Sequence, residues 1–223
     1  MSSTRKAYPS DLTDAEWEKL EPLIPAIAED ATHVVYERKE IVNAIFYVLR
    51  SGCPWRMLPH DLPVWGTVYE YFRQWRQDGT CEKVLGTLRG EVREQEGREA
   101  DPSAIIIDSQ SIKTSAVRGP EKGYDAGKKI WGRKRTLIVD TLGLLLAVIV
   151  LAADVGDREG AKRLLGPCTR QDFPQLELIW ADQGFRGDPF APWLREHLGC
   201  RREILKQPWI ERPGKWVWKR GHL

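Results

Sequence analysis

Apolar residues recur at helical spacing through the first hundred positions, and short apolar runs replace them afterwards. Trp17, Leu20, Leu23 and Ile24 fall on one helical face. Thr13-Asp14-Ala15-Glu16 reads as a capping box ahead of them, the Thr13 side chain taking the Glu16 amide while Glu16 reaches back. Pro22 and Pro25 close the segment, because proline lacks the N–H that would continue it. A second helix is expected from Arg38 to Arg50, burying Ile41, Ile45, Val48 and Leu49. A connector with three prolines leads to a third, from Val64 to Gln77 through Val68, Phe72 and Trp75, which Asp78-Gly79 stops. A fourth, highly charged helix is expected from Cys81 to Gly97, ahead of a break at Ala100-Asp101-Pro102.

Beyond that break the period shortens. Ser103 to Ile107, Arg135 to Val139 and Leu144 to Ala152 read as three strands, the last two joined by a tight turn at Thr141-Leu142-Gly143. Asp157 to Leu165 is expected to be helical, Leu176 to Trp180 a buried strand, Pro189 to Leu198 a helix closed by Gly199, and Arg202 to Lys206 a last short strand. The order β-β-β-α-β-α-β is that of an α/β ribonuclease-H-like mixed sheet. The expected organisation is a small all-α, helix-turn-helix-like domain over residues 1–100 and the sheet domain over residues 101–223.

Composition narrows the class. An apolar content of 42% with 30% charged residues suits a globular chain. The longest apolar run, Leu142 to Ala153, is too short to span a bilayer, so no membrane is expected as partner. Four scattered cysteines without a CxxC pair argue against a zinc site or a disulfide framework and point to the cytoplasm. The net charge of +2 conceals segregation: from Ile112 to Thr136, eight Lys/Arg face only Glu121 and Asp125. Arg201 to Leu223 carries a second basic excess, with Trp209, Trp216 and Trp218 interleaved. Segregated positive charge suits a polyanion as well as an ordinary solvated face. For the tryptophans, packing is preferred over stacking on unpaired bases. His33, His60, His197 and His222 show no metal-ligand spacing.

Two carboxylates stand directly after buried strands, Asp108 after Ile105-Ile106-Ile107 and Asp182 after Leu178-Ile179-Trp180-Ala181. Ends of neighbouring strands can hold two carboxylates around shared hard cations, as phosphoryl transfer requires, although each could equally cap a turn. Asp140 is expected to shape the turn that follows it, and Asp157 to cap the next helix.

LTDAEWEKLEPLIP, RKEIVNAIFYVLRSGCPWRMLP and VYEYFRQW resemble the N-terminal region of transposases of insertion sequence family five. IDSQSIKTS, GKKIWGRKRTLIVDTLGLLLAVIV, AADVGDREGA and IWADQGFRG resemble their catalytic core. These blocks run in order from about Asp11 to Trp209. The resemblance implies a DDE transposase that cleaves and transfers DNA strands, with Asp108 and Asp182 as the first two catalytic residues and ligands of a two-metal Mg2+ or Mn2+ site. It implies double-stranded DNA as partner, both terminal inverted repeats and target, engaged by a homo-oligomer in the nucleoid. Lys113, Lys128, Lys129, Arg133, Lys134 and Arg135, on a loop beside Asp108, are the expected phosphate contacts, and Arg73 and Arg76 of the third helix are candidates for base or phosphate contacts.

One departure stands out. The third carboxylate of such enzymes lies in a pattern Y-x2-R-x3-E-x6-K, which is absent; Glu203 and Glu211 are poor substitutes. The expectation is a chain that stops short of that segment, and a non-catalytic DNA-binding fragment regulating the intact enzyme is the alternative function. A ribonuclease-H-like nuclease of other specificity would need more acidic residues than can be placed.

Overall fold

The computed structural model describes residues 5–26, 36–114, 121–187 and 189–205, and the backbone alone of 209–212 and 215–218. The side chains of the tail tryptophans, expected to pack, lie outside the described residues. The chain forms two compact units, Met1–Arg89 and Gly90–Leu223.

The first unit is helical. Helix α1 (Asp14–Leu20) begins with the expected capping box, Thr13 and Glu16 bonding reciprocally, and a 3-10 turn (Glu21–Leu23) follows it. Helices α2 (Arg38–Ser51) and α3 (Trp65–Gln77) bury Ile41, Val42, Ile45, Val48, Val68 and Trp75 around a common core. Leu49 departs from expectation: it is 63% exposed, because the buried stripe of α2 runs through Ile41, Ala44, Ile45 and Val48. Inside the unit Arg5 is held by Asp11 (2.6 Å) and Glu40 (2.9 Å), which fixes the N-terminal segment against α2. Helix α4 (Thr80–Gln95) carries the chain across the boundary of the two units.

The second unit is a mixed sheet with helices on one face. Its strands are β1 (Ala104–Lys113), β2 (Gly123–Asp125), β3 (Ile130–Asp140), β4 (Leu145–Ala152), β5 (Leu178–Ala181) and β6 (Arg201–Ile204). Strand β1 is central. It runs antiparallel to β3 and parallel to β5, β5 runs parallel to β6, and β4 lies antiparallel on the far side of β3. The order β4-β3-β1-β5-β6, with β2 as a short addition on β3, is the ribonuclease-H-like arrangement expected from the succession of elements. Helices α5 (Asp157–Leu165) and α6 (Phe190–Leu198) complete the unit. A further hairpin, β7 (Trp209–Arg212) with β8 (Lys215–Trp218), forms a separate two-stranded sheet that the tail composition did not foreshadow.

Strand alternation gives the sheet two different faces. Ile105, Ile107, Ile138, Ile179 and Ala181 point inward and pack with Ala161, Leu165, Phe190, Leu194 and Leu198 of the two helices. The helix α5 approaches β3 closely at Gly160, where a Cβ would stand 2.7 Å from the Thr136 hydroxyl oxygen. The outer face alternates with the inner. It carries Asp108 and Gln110 of β1, Arg133, Arg135 and Leu137 of β3, and Val148 and Val150 of β4, the last two about half exposed.

Two expected boundaries were too short. Strand β1 continues five residues beyond Asp108 and β3 begins five before Arg135, because Asp108–Lys113 pairs with Leu137–Gly132 in one unbroken antiparallel ladder and Ile130–Gly132 pairs with β2. Backbone hydrogen bonds and the inward-facing Ser109 and Ser111 carry a stretch that has too little apolar character to read as strand.

Candidate active site

The parallel pairing of β1 and β5 sets Ile107 opposite Ala181, and the residues that follow these two along the chain are Asp108 and Asp182. Strand β5 ends there, so Asp108 lies in the middle of β1 where its parallel neighbour stops. Both aspartates are exposed. Each has one oxygen fixed by a backbone amide: Ser109 N donates to Asp108 Oδ1 (2.7 Å), and Gly184 N donates to Asp182 Oδ1 (2.8 Å) at the start of a 3-10 turn, Gln183–Phe185. The remaining Oδ2 atoms have no hydrogen-bond partner among the described residues.

A metal on this pair would find hard oxygen donors with one free oxygen apiece. Among the described residues no three His, Cys, Asp or Glu gather to enclose a metal. A pair nonetheless suits Mg2+, which commonly takes one or two carboxylates and completes its shell with water and substrate phosphate. Glu203 is exposed on β6 opposite Trp180, on the same face as Asp108 but two residues short of the level of Asp182. Glu211 lies on β7, where the side chain is outside the described residues.

The basic residues divide by strand parity. Arg133 and Arg135 lie on the outer face with Asp108, and Arg135 donates to Gln110 Oε1 (2.6 Å). Lys113 is exposed at the end of β1. Lys128 and Lys129 are exposed in the turn between β2 and β3, and Lys129 sits at φ 54°. Lys134 departs from expectation. It points inward, is 6% exposed, and places its ammonium 2.9 Å from Asp157 Oδ1 and 3.9 Å from Asp125 Oδ2, so it is not placed to meet phosphate. In the first unit Arg73 is exposed but tied to Glu70 (3.0 Å), and Arg76 is exposed.

Asp157 also departs from expectation. Gly156 is the N-cap of α5, and Asp157, in its first turn, turns its carboxylate back to the sheet, where it accepts from Ser109 Oγ (2.7 Å) and from Lys134. Asp125 on β2 accepts from the Ser111 hydroxyl and from Lys128 N. The Ser111 hydrogen bond first, then the Lys128 amide and the Lys134 charge, hold the Asp125 carboxyl below its ordinary range. A depressed carboxyl contributes stability that is complete above the unfolded value, near pH 3.9, and is lost as pH falls through the folded one. Urea denaturation should therefore show wild type losing more stability than Asp125→Asn below about pH 4; parallel losses would remove Asp125 from the acid transition.

Asp140 behaves as the sequence implied. Its Oδ1 accepts from Leu142 N (2.9 Å) and Leu144 N (2.8 Å), closing the β3–β4 turn, and its buried Oδ2 meets Arg93 (2.6 Å).

The sheet sets two aspartates at adjacent strand positions, and comparison with known proteins gives the family of the chain. Residues 99–213, just over half of the chain, match the family model "Transposase DDE domain", and the chain belongs to that family. Residues 12–85 match a second model, "Putative transposase of IS4/5 family". An uncharacterized protein, y4sN, of Sinorhizobium fredii (strain NBRC 101917 / NGR234) is 26% identical over 102 residues, which are 46% of this chain and 75% of that one. A piggyBac transposase synaptic complex with hairpin DNA, solved by cryo-EM, aligns over 47% of this chain at 18% identity and a TM-score of 0.33. The chain spans 22% of the length of that protein, a likeness too slight to carry an argument. No helix among the described residues is long and apolar enough to cross a membrane.

Proposed function

We propose that the chain cleaves and joins DNA strands in the transposition of an insertion sequence, with Asp108 and Asp182 as its catalytic carboxylates. The observation that carries this reading is the β1–β5 register, which delivers both residues to one exposed edge beside a basic face. Asp108 and Asp182 would hold Mg2+ or Mn2+, which when bound polarises a phosphoryl oxygen and favours a deprotonated attacking hydroxyl. The chain's own contribution is to orient those carboxylates through the Ser109 and Gly184 amides and to seat the DNA backbone. Arg133, Arg135, Lys128, Lys129 and Lys113 serve as phosphate contacts, which set register and affinity without reading sequence. Arg73 and Arg76 offer a DNA-binding domain, proposed over residues 1–100, a second approach to inverted-repeat or target DNA, with a homo-oligomer bringing element ends together. Among the described residues no third acid joins the pair to enclose a metal, which favours one alternative, a DNA-binding protein that competes with a catalytically complete transposase.

The DNA face is tested by salt. Alanine at Lys113, Lys128, Lys129, Arg133 and Arg135 together should flatten the slope of log affinity against log salt by up to about 4.5 units, since each lost phosphate contact removes about 0.9. Lys134→Ala should leave that slope unchanged. An unaltered slope in the fivefold variant would take this face out of the interface.

A further inference from the structure

We infer that Asp157 is a positioning residue that sets the spacing of the Asp108–Asp182 pair, acting through Ser109 on one side and Gly184 on the other. The inference rests on the metal-pair reading of those aspartates.

Each aspartate is oriented by one amide, that of Ser109 for Asp108 and that of Gly184 for Asp182. Both of those residues lean on the same carboxylate. Ser109 donates its hydroxyl to Asp157 Oδ1 at 2.7 Å, which fixes the strand segment immediately after Asp108. Gly184 packs against the other oxygen. A Cβ there would stand 2.4 Å from Asp157 Oδ2 and 3.1 Å from Asp182 Oδ1, so a side chain is excluded and the Asp157 carboxylate takes its place. The elements so joined are far apart in sequence: β1, the first turn of α5, and the turn after β5. Backbone pairing ties β1 to β5 as far as Ile107 and Ala181, and beyond that level the Asp157 carboxylate is a side-chain link between them.

Lys134 explains why this third acid supports the pair without joining it. Its ammonium, 2.9 Å from Asp157 Oδ1, neutralises the carboxylate, and the Ser109 hydroxyl occupies the same oxygen. Asp157 therefore adds no net repulsion to Asp108 and Asp182 and does not compete for their cation. The ion pair is nearly closed to solvent on the lysine side, which keeps it insensitive to salt. The close approach of α5 at Gly160, one turn into the helix, brings Asp157 within reach of β1 and β3.

The test is Mn2+ affinity, read from the electron paramagnetic resonance of free Mn2+ well below the unfolding temperature of each variant. Asp157→Asn and Gly184→Ala should weaken Mn2+ by about 10- to 100-fold, the range typical of groups that orient metal ligands. Ser109→Ala should weaken it less, and Ser109→Thr, which restores a hydroxyl at the same position, should recover it. Leu164→Ala, a core truncation on the same helix, should lower the melting temperature and leave Mn2+ affinity as in wild type. Wild-type affinity in Asp157→Asn and Gly184→Ala would overturn the positioning role. So would an equal loss in Leu164→Ala. If Asp108→Asn itself binds Mn2+ like wild type, the metal-pair reading falls instead, and the two failures are told apart.

Discussion

Asparagine at Asp108 or Asp182 is expected to abolish metal-dependent strand cleavage and, with it, the stabilisation that Mg2+ or Mn2+ gives the folded chain. Two carboxylates at adjacent strand positions repel unless a cation lies between them or one is protonated. A cation bound only by the folded state adds about 2.7 kcal/mol at a hundred times its dissociation constant. Wild type should therefore melt higher in metal, while each asparagine variant should melt at one temperature with or without it. In metal-free buffer the variants should be slightly more stable than wild type, because the repulsion is gone. On the chemical side, losing several kcal/mol of charge stabilisation at the phosphoryl group corresponds to at least a thousandfold fall in rate, at about 1.36 kcal/mol per tenfold. A variant that keeps both its metal response and its cleavage would remove these aspartates from the mechanism.

The second large effect is expected at Arg93, far from the chemistry. Its guanidinium is 5% exposed, meets the fully buried Asp140 at 2.6 Å and donates from Nε to the Glu99 carbonyl at 2.8 Å. Arg93→Leu leaves Asp140 as an uncompensated buried charge, which in comparable settings costs about 3–5 kcal/mol. Arg93→Leu with Asp140→Asn should recover part of that loss, since a neutral amide oxygen can still accept from Leu142 and Leu144. Chemical denaturation of the two variants measures both numbers. A loss in Arg93→Leu below about 1 kcal/mol, the range of an exposed pair, would show that solvent reaches Asp140.

Much of the architecture was legible because its signals are local. The Thr13–Glu16 capping box, the apolar stripe of α2, the Asp140 turn and the two apolar runs before Asp108 and Asp182 each depend on residues a few positions apart. The strand order followed from their succession. What escaped reading depends on partners distant in the chain. Ser111–Lys113 and Gly132–Lys134 form strand because they pair with each other, and neither has enough apolar character to announce it. Lys134 looked like one more charge in a basic loop, although its alternation with Thr136 and Ile138 marks it as inward once β3 is extended back to Ile130. Asp157 fitted the N-terminal preference of a helix so well that a second use went unseen. Gly184 carried no signal, since only the folded chain shows what fills the place of its side chain.

The unbroken ladder between β1 and β3 makes length a carrier of meaning. From Ile105 to Lys113 every residue has a fixed opposite between Asp140 and Gly132, while the one irregularity of β3, at Ile138/Val139, falls on its β4 side. Parity along this ladder decides which residues meet solvent and which meet the helices. Inserting or deleting a single residue between Ile130 and Thr136 would exchange the two sets, sending a guanidinium toward Asp157 and a lysine out beside Asp108. Such a change alters no side chain's chemistry, yet it would cost both the basic face and the support beneath it. Substitutions along this stretch should be tolerated one at a time; indels should not.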